Sequence, residues 1–467
     1  MEKTTVMLVT LVVYNLVLVG IGVWAQGKIE NNEDFFLGGR GLGPVVAATS
    51  YSASASSAWA LLGLSGAAYL LGISALWLAS GSVVGMLITW FWIAPRMMAY
   101  SREHDLLTLT DFIAHGSKGV WRKTIVLAAS FVVLVSFAFY VAVQFQGAGA
   151  TFSTAFGISL TESVVLGGGI VLIYTFLGGF WAVCVTDTVQ GILMAITAIM
   201  LPVAALNEVG GFTGFYQGLA AVSTPAQLSW SSANAGLVAI GLVVGALSIG
   251  LGTFGQPHLL VRLMALRDGK SLRQARLLTV FWYMIVYGGM VFLGLAGHIL
   301  SPNLENGETI FFVLMDQLFS PVPASILLAA VLSAIMSTAD SQLLVAASSV
   351  THDMGLERHF ANSSLFLSRL AIALLVALSI VLTLYLPETI FNRALFAWGA
   401  LGSAFGPLVL LRLAGIDITP MGVLSGITTG FLSTVLFYQL PDTPGDVLER
   451  FAPFAMAMIV LLLFRRR

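Results

Sequence analysis

The sequence predicts an all-α integral membrane protein with about thirteen transmembrane helices. Three observations lead there. The 467 residues are 58% hydrophobic and only 9% charged, with a mean hydropathy of +0.94, a balance that water-soluble domains do not show. Apolar stretches near twenty residues recur along the chain, the length a helix needs to cross the hydrocarbon core. Lys and Arg gather in alternate loops, the bias that sets membrane orientation.

The expected spans cover 4–26, 44–72, 74–97, 123–150, 160–177, 179–204, 232–258, 274–298, 322–350, 366–386, 392–413, 419–438 and 451–464. The first is an extra N-terminal helix, too long for a secretory h-region and without a clear small-residue cleavage site, so it reads as retained. Residues 44–204 and 232–413 form two successive five-helix blocks, and 419–464 adds two C-terminal helices to what reads as one membrane domain over 1–467. Short amphipathic pieces, Leu106–Ala114 and Glu308–Phe319, are expected at the inner and outer surfaces. An outside N-terminus and a cytoplasmic C-terminus put all of the 21 basic residues inside except Lys3, Arg393 and Arg450. The expected location is the bacterial inner membrane.

Two spans carry weak points. The second reads ATSYSASASSAWALLG from Ala48 to Gly63, small and hydroxylated, and the seventh reads SIGLGTFGQPH from Ser248 to His258. Gly and Pro loosen the helix ladder, and freed carbonyls inside a membrane are tolerable only where protein encloses them. Each weak point lies in the first helix of a five-helix block, the placement that marks the central site of a secondary transporter. Tight packing of small residues is the competing explanation.

The ninth span contains MSTADSQLL, Met336–Leu344, with Asp340 as the one charge between Pro321 and Val350. A carboxylate at the centre of a membrane helix costs about 2.5–3.5 kcal/mol on insertion scales. Ala334, Ser337, Thr338 and Ser341 fall at i, i+3, i+4 and i+7 on one face. Such oxygens suit a small hard cation. Bonding of hydroxyls to carbonyls one turn back accounts for Ser and Thr but leaves Asp340 unexplained.

Other chemistries are disfavoured. A net charge of −1 gives no reason to invoke nucleic acid, and the single Cys184 rules out an intrachain disulfide framework. No Gly-rich loop followed by Lys points to a nucleotide. His104, His115, His258, His352 and His359 show no metal-ligand spacing and no nucleophile set, so no enzyme activity is expected. No obligate protein partner is implied.

The chain resembles the sodium/solute symporter family, and within it the bacterial sodium/proline symporters. The motifs that carry the likeness are DFFLGGRGLGP (Asp34–Pro44), WALLGLSGAAYLLG (Trp59–Gly72), TDTVQ (Thr186–Gln190), GQPHLLVRLMA (Gly255–Ala265), MSTADSQLLV (Met336–Val345) and AWGALGSAFGP (Ala397–Pro407). The resemblance implies a leucine-transporter-like core, a 5+5 inverted repeat whose first and sixth core helices are broken. It implies sodium as co-transported ion, held by carbonyls of Ala53, Ser56 and Ala334 and hydroxyls of Ser337 and Thr338. A second sodium or coupling set would be Asp187, Asp340 and Ser341; a helix N-cap after Gly178 and Gly179 is the alternative for Asp187.

The proline carriers have an Asp where this chain has Ala55, and Asp340 stands where they have a hydroxyl. The expectation is that the carboxylate has crossed the site; pairing of Asp340 with a base such as Arg262 is the alternative. The substrate set is Ser57, Trp59, Gly63, Tyr140, Gln144, Thr253, Phe254 and Gln256, with Pro257 beside it. Ser57, Trp59 and Tyr140 match residues that proline carriers use, whereas Ile249 and Thr253 replace aromatics. The solute implied is proline or a similar small amino acid, with pantothenate or another small-carboxylate or choline-like solute as alternative.

Overall fold

The computed structural model describes residues 3–26, 37–176, 179–355, 364–386, 388–441 and 443–466. Lys28, the start of the Asp34–Pro44 motif, Gly178, Arg358, His359 and Arg467 lie outside them. Every regular element among the described residues is helical; two isolated bridges, Leu42 with Leu266 and Ile418 with Arg465, join loops.

Helix α1 is Lys3–Gln26. The expected second and third spans form one helical run, Pro44–Glu103, made of α2 (Pro44–Ala58), a π-turn, α3 (Leu64–Leu71), a 3-10 turn, α4 (Leu76–Ile88), a second π-turn and α5 (Ala94–Glu103). Sixty residues would reach about 90 Å if straight, so the run folds back to cross twice. It turns at Gly72, whose φ is +67° and where a Cβ would stand 2.1 Å from the Gln227 carbonyl oxygen. Only glycine fits there.

The short helix α6 (Leu109–Ala114) starts three residues after the expected Leu106 and is largely buried, with the Thr108 side chain accepting the Asp111 amide at 3.0 Å. Then come α7 (Gly119–Phe156), α8 (Leu160–Thr175) and α9 (Phe180–Glu208). An amphipathic helix that the sequence reading passes over, α10 (Gly211–Val222), follows and leaves Phe212 and Tyr216 exposed. The seventh span begins at Gly236 rather than 232 and is α11 (Gly236–Leu247), α12 (Ile249–Gly252), a 3-10 turn at Thr253–Gly255 and α13 (Pro257–Met264). The rest is α14 (Gly269–Leu300), α15 (Ile310–Leu318), α16 (Pro321–Ser348), α17 (Ser364–Tyr385), α18 (Ile390–Leu413), α19 (Pro420–Phe437), α20 (Val447–Arg450) and α21 (Ala452–Leu463).

Ten helical runs among the described residues are long and apolar enough to cross a membrane. Counting Pro44–Glu103 as two crossings and adding the shorter apolar α8 and α21 recovers the expected thirteen. Burial sorts them. Within their most apolar stretches α16 and α18 are 83% buried, against 22% for α1 and α17. Leu8, Val9, Val12, Val13, Leu16, Val17 and Val23 of α1 therefore face outward, as lipid allows and water would not. Helix α2 lies against α9, α14 and α16, and this contact zone positions the site.

Candidate functional site

The second-span break is a single residue. Ser57 has φ +53° and ψ −173°, a left-handed conformation inside an otherwise helical run, which non-glycine residues hold only when their surroundings fix it. Two bonds fix it here. The Ala58 amide donates to Gln144 Oε1 at 3.1 Å, and the Trp59 amide donates to Ser57 Oγ at 3.1 Å. A π-turn over Trp59–Gly63 then restores the helix.

One turn before the break, α2 meets a charge hub. Arg262, 1% exposed in the last turn of α13, pairs with the wholly buried Asp187 of α9 at 2.7 Å. Its Nε donates to Ser50 Oγ (2.7 Å), and its Nη2 also donates to Ser54 Oγ (2.9 Å) and Ser341 Oγ (2.7 Å). Its Nη1 donates to the His258 carbonyl. Asp187 Oδ2 accepts from Ser50 and Ser54 as well. Breaking a buried pair strands a charge and is strongly unfavourable, so four elements are locked at one point.

This corrects two expectations. Asp187 is no helix cap, because α9 begins at Phe180 with Gly179 at its N-cap. Arg262 is no loop residue, and it pairs with Asp187 rather than with Asp340. The Asp340 carboxylate accepts from Ser341 at 3.3 Å through Oδ1, while its Oδ2 and Asp187 Oδ1 are buried without a hydrogen-bond partner.

The polar face of α16 meets α2 above the hub. Thr338 Oγ1 donates to the carbonyls of Ser54 and Ala334, both at 3.1 Å, and Ser337 Oγ donates to Ala334 at 3.3 Å. The Ser54 hydroxyl reaches back to the Ser337 carbonyl at 2.9 Å. Ala53 and Ser56 flank that contact, and the Ser56 hydroxyl is spent on the Ser52 carbonyl at 2.8 Å. Hydroxyls and carbonyls of two helices thus converge around Ser54, Ala334, Ser337 and Thr338. From the N-terminal helix α1, the Tyr14 hydroxyl meets Ser333 Oγ at 2.7 Å.

A small cavity adjoins the break. It is lined by Ala55, Trp59, Ser82, Tyr140, Ile249, Thr253, Tyr283, Tyr287, Ala394, Leu395 and Trp398, with no charged side chain. Tyr283 and Tyr287 stack at 4.8 Å, and Trp59 lies 6.0 Å from Tyr287 and 6.2 Å from Phe391. Glu308 holds this layer by accepting the Phe391 and Ile390 amides at 2.9 and 3.2 Å; burial raises its carboxyl above the usual carboxylate range.

The second break supplies the far wall. Gln256 has extended backbone between the 3-10 turn and α13, and its Nε2 donates to the carbonyls of Gly252 and Trp398 at 3.0 Å each. Trp398 Nε1 donates to the Ile249 carbonyl at 2.9 Å.

Of the substrate set, the structure places Trp59, Tyr140 and Thr253 on the cavity, and Ser57 and Gln144 at the break beside it. Gly63 packs under Trp59 and Phe391, Phe254 against Phe454, Pro257 starts α13, and Gln256 braces α18. Sequence reasoning missed Tyr283, Tyr287 and Trp398 as cavity residues and Arg262 as the centre of the hub.

The profile of the sodium:solute symporter family matches residues 35–430. Sodium/proline symporters of Staphylococcus aureus, strain NCTC 8325 among them, are 35% identical over 442 residues, covering 92% of this chain and 85% of theirs. Among solved structures, a substrate-bound outward-open Na+-coupled sialic acid symporter superposes with a TM-score of 0.80 at 17% identity, over 99% of both chains. A nucleobase-cation-symport-1 family transporter closed on bromovinylhydantoin gives 0.58 at 15% identity, over 93% of this chain and 96% of that one. These likenesses show the fold, a leucine-transporter-like inverted repeat with broken first and sixth core helices.

Proposed function

We propose, for a chain that belongs to the sodium:solute symporter family, that it imports proline or a similar small amino acid by alternating access. Sodium is the co-transported ion. The observation that carries the solute reading is the lining of the cavity, walled by aromatic rings and free of charged side chains, at a broken helix. Trp59 and Trp398 would flank an aliphatic ring, and the Tyr140, Tyr283 and Tyr287 hydroxyls would meet its polar ends. The 35% identity to sodium/proline symporters supports the same solute class.

Sodium would bind between α2 and α16, at the carbonyls of Ala53, Ser56 and Ala334 and the hydroxyls of Ser337 and Thr338. Asp187, Asp340 and Ser341 would couple that site to the hub. The ion would tie the break to α16 and favour the conformation that binds solute. One charge crossing 100 mV releases about 2.3 kcal/mol, and a tenfold gradient adds about 1.4 kcal/mol. Together these sustain several-hundred-fold accumulation of a neutral solute. The N-terminus would face outside and the C-terminus the cytoplasm, in a bacterial inner membrane. Placing Arg262 in the hub still leaves most basic residues on the inner side.

The test is uptake of labelled proline into proteoliposomes with and without a sodium gradient, with unlabelled alanine, pantothenate and choline as competitors. Sodium-stimulated uptake displaced by unlabelled proline, and lost in Thr338→Ala, is expected. Displacement only by pantothenate or choline would replace the solute; no sodium stimulation would overturn the reading.

A further inference from the structure

We propose that Asp111, His352 and Asp353 form a seat for a divalent transition-metal ion of the zinc class, which on binding ties α6 to the end of α16. The seat is separate from the sodium face proposed above, since Asp353 lies about four helical turns beyond Thr338.

One ligand atom from each of the three side chains lies within 4.8 Å of the others. Asp111 belongs to α6, and His352 and Asp353 to the π-turn Ser349–Asp353 that continues α16. Asp111 is far from the other two in sequence, so no ligand spacing announces the set. His352 Nε2 stands 3.5 Å from Asp111 Oδ2. Charge-assisted hydrogen bonds are shorter, about 2.7–2.9 Å. The separation is instead close to the about 3.4 Å between neighbouring ligand atoms of a tetrahedral ion with bonds of about 2.1 Å.

Each carboxylate has one oxygen committed and one to offer. Asp353 Oδ1 accepts from Thr108 at 2.8 Å, while its Oδ2 is buried with no hydrogen-bond partner. Asp111 Oδ1 accepts from Arg122 at 3.0 Å, which leaves Oδ2 on the His352 side. Thr108 and Arg122 thus stand as the outer partners that orient metal ligands. Asp353 also lines a small cavity with Thr108, Thr110 and Ser348, a place for water as a fourth ligand.

Charge and ligand type then select the ion. The two carboxylates face a single guanidinium, the half-exposed Arg122. Arg412 points its Nη1 at the Phe112 and Ile113 carbonyls of α6, and His104 and His115 pair at the end of that helix. The cluster itself keeps a net negative charge. An imidazole among the ligands favours transition metals over sodium, magnesium or calcium, which take oxygen. Because Arg412 already holds α6 to the end of α18, the ion fastens three elements at one end of the bundle.

Cobalt titration of the purified, tag-free full-length protein tests this, with the visible absorption of the bound ion as readout and zinc as competitor. Wild type should hold one cobalt per chain and give it up to zinc but not to excess sodium. His352→Ala and Asp353→Asn should each weaken binding by more than the about 10–100-fold that losing an outer partner costs. His104→Gln/His115→Gln, which removes the imidazole pair with ring centroids 4.3 Å apart, should bind like wild type. Zinc should raise the melting temperature of wild type and leave that of His352→Ala unchanged. No cobalt bound to wild type, displacement by sodium, or full binding in His352→Ala would overturn the proposal. So would loss of the site in His104→Gln/His115→Gln. His352 is partly exposed, so His352→Ala decides if Asp353→Asn does not fold. None of these readings uses transport, so a failure here is distinct from a failure of sodium symport.

Discussion

The two helix breaks reach similar shapes by opposite means. At Ser57 the chain is polar, and hydrogen bonds to Gln144 and to its own side chain hold a left-handed residue in place beside a buried ion pair. At Thr253–Gln256 the chain carries no charge, and closeness joins the Gln256 and Trp398 hydrogen bonds in holding it. A Cβ on Gly252 would stand 1.9 Å from Trp398 Cδ1, and one on Gly255 would stand 2.2 Å from the Leu401 carbonyl oxygen. The first break is stabilised by charge and hydrogen bonds, so an ion can act on it. The second is an uncharged joint packed and hydrogen-bonded against α18, and what it answers to is chiefly shape.

The contrast can be broken experimentally, and the largest effect should come from the hub. Arg262→Met strands Asp187 and should cost about 3–5 kcal/mol, read as a lowered detergent melting temperature. Sodium should restore part of the loss by binding the folded state. No sodium rescue would mean that the first break does not answer to ions. At the second break Gly255→Ala should cost about 1–3 kcal/mol through overpacking, and sodium should leave that loss unchanged. Rescue by sodium would erase the distinction. Next, Asp340→Asn should raise the half-activating sodium concentration about tenfold, equivalent to about 1.4 kcal/mol, with Ala55→Asp recovering part of it. An unchanged sodium curve would show that this carboxylate plays no part at the first break. The smallest effect is at Ser57→Gly. Glycine relieves the left-handed strain but loses the bond to the Trp59 amide, so thermal stability should move by under about 1 kcal/mol. A large loss would mean that the side chain itself, and not the backbone turn, holds the break.

Much of this was legible in the sequence because membranes make polarity conspicuous. The α16 face around Ala334, Ser337 and Thr338 showed through its helical spacing alone, and both breaks showed through composition. Arg262 was misread because a positive charge near a helix end normally marks a loop, and nothing in one-dimensional sequence shows that α13 turns inward toward an Asp 75 residues earlier. Tyr283 and Tyr287 were hidden for the opposite reason: in an aromatic-rich apolar helix two more tyrosines stand out little, although their spacing of four puts them on one face. Helix α10 was passed over because its residues, too mixed for a membrane span, carry their pattern in amphipathicity rather than in mean hydropathy. The break at Ser57 was located only to within a stretch of sixteen residues, since Ser has no left-handed preference of its own and tertiary bonds chose the position.

Helix α1 precedes the first broken run, and most of its apolar stretch is left unburied. Yet Tyr14 touches Ser333, the residue just before the face proposed to receive the ion. A shortened protein made for crystallisation or for a fluorescent sensor, with this segment trimmed as a mere anchor, would therefore lose a handhold on α16, the helix proposed to bind the ion. Its response to sodium would drift even though every ion ligand remained in the chain.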